Sequence, residues 1–562
     1  RRGDRLVQEV YKARQEERNR WGETNFLLTP NVKKSRGGLR DIQMIRWIGF
    51  ARYGEVDLER LLKLDALSSE DYRMIRRAYD FLIRLRNELH FRENRAQDVL
   101  DRPTQLAIAE AWGYKGSEGV LPVEELMQTY FEVTRNTRYS ARFFYDDNRY
   151  RPIIDRVLER VKATSKGNGV MVGPTHIWVD PTQLDEFARS LPRIMRFMSL
   201  ANHESKFISH PTWQAIRQAM LERKPSDPDT ESVGAFLSLL SRGGQRLAPL
   251  LRRLHELRIL EQLIPDFKRT RGLLQFNAYH KYTVDAHCIR SVEAATEFLD
   301  DQSAMGRRYR RIKDKALLHL ALLIHDVGKG CEEDHSIVGA RIARKVGERL
   351  DLDAASIDIL EWLVLKHLAV NTVAFRHDLN DPEIVISFAK EVGSIRRLEL
   401  LIVHSVADLA AVGPGVLTDW KMKLIEDLYL RTRRFFETGD LELDEKELSG
   451  EIRGQVRTGL GDLSDDSVAI QLLNEAPLSL LRRGEPEEFA EQLCIVAEQF
   501  GQGKKTVVFH TFDAIASAQR YVVVMRQGNQ RIGLFSRLAG AFMSCGIRIL
   551  RAEVLTIGDV IW

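Results

Sequence analysis

The sequence predicts a mainly α, multi-domain protein that ends in a small α+β module, and three observations carry that prediction. Apolar residues recur at three- and four-residue spacing through DIQMIRWIGFARYG and DYRMIRRAYDFLIRLRNELHF, the period of helices with one buried face. The stretch ALLHLALLIHDVGKG, residues 316–330, is apolar for long enough to form a buried helix and then stops abruptly in His, Asp, Gly and Lys. From about residue 505 the period changes, and KTVVFHTF and RYVVVMRQ alternate or cluster β-branched residues, as strands do.

Residues 1–148 read as a helical domain. Its opening, RRGDRLVQEVYKARQEERNRW, is charged, helix-prone and without a start signal, so the sequence is expected to be a fragment. The GGLRD turn, Gly37 to Asp41, allows close backbone approach and starts the next helix with Asp41, in a structural or a nucleotide-contacting role. Residues 149–265 read as a helical connector with a short β patch, GVMVGPTHIWVDP, and a turn-rich break at Pro225 to Asp229. His203, His210 and Trp213 in that section read as packing or surface residues. A helical metal domain is expected over 266–438, then linker and helices over 439–504, where GDLELDEKELSGEIRGQVRTGLGDLSDDS is polar and Gly/Asp-rich. In the final unit, 505–562, LFSRLAGAFMSCG reads as an amphipathic helix and IRILRAEVLTIGDVIW as strand, turn and strand.

Composition excludes several classes of function. The 84 basic residues against 80 acidic ones leave a net charge of +4, too balanced to imply nucleic acid as the partner. Basic clusters such as Arg307 to Arg311 read as solvated helix faces. No uninterrupted apolar stretch approaches the length of a helical membrane span. Cys288, Cys331, Cys494 and Cys545 are scattered without paired spacing, which suggests neither a disulfide framework nor a zinc ribbon and fits a reducing cytoplasm.

Chemistry concentrates in His287, His325, Asp326 and Asp408, which place imidazole and carboxylate groups in separate, mostly apolar helical segments. His335 opens HSIVGARIARKVGERL, and His367 lies at the end of the apolar stretch EWLVLKHLAV. A buried His-Asp pair is costly unless something ligates it. A divalent cation would do so; imidazole and carboxylate suit zinc, manganese or iron, and a bound metal makes hydroxide available near neutral pH. Taken singly, each histidine also fits a hydrogen-bonded core residue. The second His-Asp pair, His377-Asp378 in AFRHDLNDPE, sits in a polar stretch and reads as a solvated turn before a helix.

The order His287, His325-Asp326, Asp408 resembles the HD-domain metal phosphohydrolases. AYHKYTVDAH, ALLIHDVGKG, DHSIVGA and LVLKHLAV, with TNFLLTPNVKKSRGGLRDIQMIRWI at residues 24–48, narrow the resemblance to the bifunctional uridylyltransferase/uridylyl-removing enzymes of bacterial nitrogen regulation, which modify the PII signal protein. The C-terminal pattern, with GNQRIGLFSRLAG at a strand-to-helix turn, resembles the first part of an ACT domain, the ferredoxin-like amino-acid sensor. The resemblance implies removal of UMP from uridylylated PII with magnesium or manganese. His287, His325, Asp326 and Asp408 would hold one ion, and His335 and His367 a second, with Asp326 bridging. Lys329 would bind a phosphate oxygen or assist the tyrosinate leaving group, its structural alternative being a helix C-terminal lysine. Tyr282 and Asp334 are the candidates for orienting the ligating histidines.

The same resemblance implies PII, UMP and UTP as partners, glutamine as effector of an intact ACT region, and neither nucleic acid nor membrane. An HD phosphohydrolase acting on a free nucleotide, or a non-catalytic regulatory or docking fragment, stays open, although TPNVKKSRGGLRDIQ discriminates against the free-nucleotide class. The family's transferase needs a Gly-rich turn after a strand and closely spaced carboxylates. Gly37-Gly38 and Gly243-Gly244 follow no β-patterned run; Asp227-Pro228-Asp229 lies in a loop, and Asp351-Leu352-Asp353 reads as a cap between helices. No transferase residue is therefore assigned, and the chain is expected not to transfer UMP. The ACT-like unit is expected to stop before its second helix and last strand, impairing glutamine sensing.

Overall fold

The computed structural model describes residues 2–21, 29–117, 119–149, 158–159, 161–224, 226–242, 244, 246–275, 282–413, 415–438, 442–461, 467–481, 485–513, 518–526, 533–549, 552 and 554–562. It is mainly α, as the apolar spacing predicts. Two compact units divide the chain, one of residues 1–376 with 392–429 and the other of 377–391 with 430–562.

In the first unit, helix boundaries follow local signals. The Ser68 hydroxyl accepts the Asp71 N–H at the start of helix Ser69–Glu93, and Asp101 accepts the Thr104 N–H before Arg102–Ala111, each satisfying a donor the helix leaves open. Helices Leu39–Tyr53, Ser69–Glu93 and Pro122–Asn148 bury facing rows, among them Ile45, Ile48, Leu82, Leu85, Leu126 and Phe131. Each such side chain contributes about 1.5–3 kcal/mol by leaving water. The GGLRD turn has a structural cause: Asp41, fully buried, accepts from Gly37 N–H at 2.6 Å, Arg14 Nε at 2.7 Å and Arg18 Nη2 at 2.6 Å. Gly37 has φ +83°, and a Cβ there would run into the Thr134 carbonyl. Residues 24–28 of the TNFLLTPNV phrase lie outside the described residues.

The β patch forms as expected. Strands β1 (Thr164–Ser165), β2 (Val170–Val172), β3 (His176–Val179) and β4 (Phe207–Ile208) lie in the order β1-β2-β3-β4. The first two pairings are antiparallel, and β3 pairs β4 in parallel. Trp213 is buried and His203 exposed. His210 is more than a packing residue, since its Nε2 lies 3.2 Å from Asp71 and its Nδ1 3.3 Å from Asp147.

Helix Lys315–Ile324 is apolar on nearly every face and buried from Leu317 onward, so it can only sit inside a shell of other helices. Thr230–Ser241, Val284–Glu297, Ala354–Leu365 and Ile395–Val412 supply that shell. One sequence expectation fails nearby. Arg308, in the basic run read as a solvated face, is 5% exposed and forks onto Glu426 at 2.9 and 3.1 Å, with Tyr429 beneath it. Among the described residues no helix is long and apolar enough to cross a membrane.

In the second unit, the stretch expected to be a linker carries helix Glu442–Leu460. Val456 and Leu460, four residues apart, pack with Leu473, Leu493 and Val496, and Arg453 donates to the carbonyls of Leu473 and Ala476. The charged composition hides that narrow apolar stripe. The two β-branched runs form strands β5 (Thr506–Asp513) and β6 (Ala518–Arg526), which pair antiparallel and are followed by helix Leu534–Ser544. Of the strand read across IRILRAEVLTI, residues 550, 551 and 553 lie outside the described residues, and its end forms β7 (Thr556–Ile557), which pairs with β8 (Val560–Ile561). The order is β5-β6-β8-β7. Of the GNQRIG turn, residues 528–532 lie outside the described residues.

Candidate metal centre

The six predicted ligand residues converge. Helix Lys315–Ile324 delivers His325 at its C-cap, and the chain then turns through Asp326 to Gly330. Gly328 permits that turn to press on the start of helix His335–Arg349, because a Cβ there would meet the His335 carbonyl and the Gly339 nitrogen. His335 thereby faces Asp326. His287 comes from the first turns of helix Val284–Glu297, Asp408 from the last turns of Ile395–Val412, and His367 from just beyond Ala354–Leu365. Each ligand stands where an apolar helix begins or ends, so the packing of the shell fixes its position.

Asp326 divides the centre. Its Oδ2 lies 3.4 Å from His325 Nε2 and 3.8 Å from His287 Nε2. Its Oδ1 lies 3.9 Å from both His335 Nε2 and His367 Nε2. Two donor groups result, His287 with His325 and Asp326, and His335 with His367 and Asp326, each with ligand atoms within 4.8 Å of one another. Asp408 Oδ1 joins the first from the side, 2.7 Å from His287 Nε2 and 3.4 Å from His325 Nε2. All but His335, whose side chain is 26% exposed, are buried.

The rings are oriented by the backbone. His325 Nδ1 lies 2.8 Å from the Leu322 carbonyl and His367 Nδ1 2.7 Å from the Val364 carbonyl. A carbonyl can only accept, so both Nδ1 atoms carry protons and both Nε2 atoms face Asp326. The sequence candidates for this role are corrected. Asp334 caps helix His335–Arg349 by accepting from the N–H groups of Ser336 and Ile337, and Tyr282 lies under the Arg290 guanidinium.

Electrostatics match a cation-shaped set of donors. Burial disfavours the His325 imidazolium, yet Asp326 and Asp408 outweigh it and push its pKa up to about 10. Burial also works against the Asp326 carboxylate, and Lys329 and His325 still hold it well below the usual range. Lys329 is 7% exposed, with Nζ 2.7 Å from Asp326 Oδ2, so it belongs to the centre rather than to a helix end. Burial and the neighbouring His325 push His367 down to about 4. These donors, imidazole nitrogens and carboxylate oxygens with charge already balanced around them, fit one or two divalent cations.

His404 is the residue the sequence reading missed. It lies one turn before Asp408, is fully buried, and its ring centroid is 5.4 Å from that of His325. Its i, i+4 spacing to Asp408 was the available signal. The other His-Asp pair, His377-Asp378, is exposed, and Asp378 accepts the Asn380 N–H in a turn, as expected.

The HD domain family matches residues 284–403, which takes in His287, His325, Asp326, His335 and His367. The chain carries an HD domain. Ahead of this HD domain, residues 5–144 match the GlnD PII-uridylyltransferase family. A bifunctional uridylyltransferase/uridylyl-removing enzyme of Ruegeria pomeroyi is 31% identical over 99% of this chain and 63% of its own length. Enzymes of the same description from Bradyrhizobium diazoefficiens and Bradyrhizobium sp. are each 28% identical over 97% of this chain and 60% of their own. The chain therefore spans less than two thirds of these curated relatives. A solved CCA-adding enzyme in complex with CTP aligns at 14% identity and a TM-score of 0.32, over 57% of this chain and 63% of that one, too distant to bear on the HD domain or the fold.

Proposed function

We propose that this chain is a metal-dependent phosphodiesterase that removes UMP from the tyrosine of uridylylated PII, using magnesium or manganese. The observation that carries the reading is the division of Asp326, with Oδ2 toward His287 and His325 and Oδ1 toward His335 and His367. His287, His325, Asp326 and Asp408 would hold one ion, and His335, His367 and Asp326 a second. A metal bound there supplies Lewis acidity toward phosphoryl oxygens and lowers the pKa of water.

The chain's own groups do the rest. The Nδ1 protons held by Leu322 and Val364 keep the His325 and His367 rings aimed at Asp326. The Lys329 ammonium brings positive charge to the Asp326 side, where it can meet a phosphate oxygen or the departing tyrosinate. The apolar shell excludes bulk water and strengthens both interactions. The family description matched at residues 5–144 supports PII as the substrate carrier, and the names of the relatives support UMP as the product. Their second named activity would draw on UTP, and no residue here is assigned to it. We further read the β6 strand and the helix after it as part of an ACT-like module with glutamine as effector.

UMP release from uridylylated PII is measured with the purified chain and manganese or magnesium, beside a His325→Ala/Asp326→Ala control. Release by the parent alone establishes the reaction and its site. No release from folded, metal-loaded protein overturns the proposal, and release only from free nucleotides replaces PII with a small-molecule substrate.

A further inference from the structure

Two buried histidines outside the metal centre have both ring nitrogens in use. His319 has Nδ1 2.6 Å from the Leu240 carbonyl and Nε2 2.9 Å from the Tyr309 hydroxyl. His255 has Nε2 2.8 Å from Asp285 and Nδ1 3.3 Å from Arg271. His404 departs from that pattern. It is fully buried, and neither of its ring nitrogens meets a partner at hydrogen-bond geometry, although the Ala321 carbonyl lies close enough to favour the ring's proton. Polar atoms taken out of water and left unbonded weaken a fold. A leucine, like Leu400 and Leu401 on the same helix, would occupy the core without that loss.

The surroundings of His404 are the centre itself. Its ring meets that of His325 at 5.4 Å and 87°, edge to face, and that of His367 at 6.3 Å and 56°. Asp408 stands one turn further along the same helix face, close enough for its carboxylate to act on the ring. The adjacent Ser405 donates to the His367 carbonyl at 3.3 Å. One turn of helix Ile395–Val412 thus touches two ligand rings and the backbone of one, and leads to a third ligand. A buried imidazole with no bonded carboxylate is neutral, so it offers one N–H and one lone pair. With the proton drawn toward Ala321, the other nitrogen is an acceptor without a protein donor. His404 joins neither of the two donor groups, so it would act through the ligands beside it.

We propose that His404 is a positioning residue of the metal centre: its acceptor nitrogen takes a hydrogen bond from a water shared with the Asp408 carboxylate, while its ring backs His325. A buried water with two such partners is an ordinary structural element, and it would fix the carboxylate of one ligand against the ring of another. The histidine is kept at the expense of fold stability, as residues that serve a site often are. The inference rests on the reading of this cluster as a metal centre and adds to it a residue outside the ligand sets.

The test compares the full chain with His404→Leu, which removes both nitrogens at similar volume, and His404→Gln, which restores an acceptor. Each protein is melted in EDTA and titrated calorimetrically with manganese. In EDTA, His404→Leu should melt at or above the temperature of the parent, because no polar atom is left unbonded. Its manganese affinity should nevertheless fall by about 10–100-fold, and that of His404→Gln by less. Gain in one measurement with loss in the other is a pattern that mere packing does not produce. A lower melting temperature or failure to fold in His404→Leu makes His404 a residue of the fold and overturns the proposal. Unchanged manganese affinity overturns it too, as does a His404→Gln no better than His404→Leu. A parent that binds no manganese overturns the metal reading itself and this inference with it, an outcome that the parent alone decides.

Discussion

Two buried imidazole-carboxylate clusters share helix Val284–Glu297, and they are built to opposite ends. Around Asp285, the His255 Nε2, the Gly272 N–H and the Ala286 N–H approach at 2.8, 3.0 and 2.9 Å. Arg135 stands 3.5 Å away, and Arg271 reaches the His255 carbonyl. Every strong acceptor there meets a protein donor. Two residues on, His287 faces Asp408 and Asp326, where several imidazole nitrogens and carboxylate oxygens converge. Burial of a His-Asp pair therefore does not separate a structural ion pair from a metal centre. What separates them is whether the second ring nitrogen and the free carboxylate lone pairs end on protein donors or on one another.

The contrast can be broken by substitution. The largest effect is expected for Asp326→Asn: UMP release falls by about 10³-fold or more, and bound manganese, counted by elemental analysis, drops toward zero. Full metal content in that variant would dissolve the distinction between the clusters. Removing His335 alone should cut the count from two ions to one. Asp285→Asn should act on folding instead, costing roughly 3–5 kcal/mol because it takes the buried carboxylate away from Arg135 and His255, while the folded fraction keeps its metal. Chemical denaturation with metal analysis of the refolded protein reads both.

A third couple titrates in an accessible range. Burial opposes the His210 imidazolium, but Asp147 and Asp71 push its pKa up to about 9 from an ordinary 6.5. Its contribution, on the order of 3 kcal/mol, is present in full below pH 6.5 and is lost as the pH rises through about 9. Melting curves between pH 7 and 10 should therefore show a fall that His210→Gln flattens. The smallest effect belongs to the exposed pair, where His377→Ala/Asp378→Ala should change neither metal content nor Tm measurably.

The helical class and the convergence of His287, His325, Asp326, His335, His367 and Asp408 were legible because each residue interrupts or bounds an apolar run. His404 was not, because it lies inside such a run and reads as core. The partners of the rings were also hidden: they are backbone carbonyls three residues back, which leave no trace in side-chain pattern. Arg308 looked solvated because the carboxylate that buries it, Glu426, lies far along the chain. Helix Glu442–Leu460 looked like a linker because Val456 and Leu460, buried among its described residues, are set in a stretch dominated by charged ones.

Asp326 stands in both donor groups, and that has a thermodynamic consequence. Ions held by the two groups would share a ligand, so their loading is one coupled equilibrium: whatever factor the first applies to the affinity of the second, the second returns to the first. A titration of this centre is to be fitted as a linked pair and never as two independent isotherms. For the same reason a substitution at 326 reports on both ions together, while His287 and His335 are the positions that can address them one at a time.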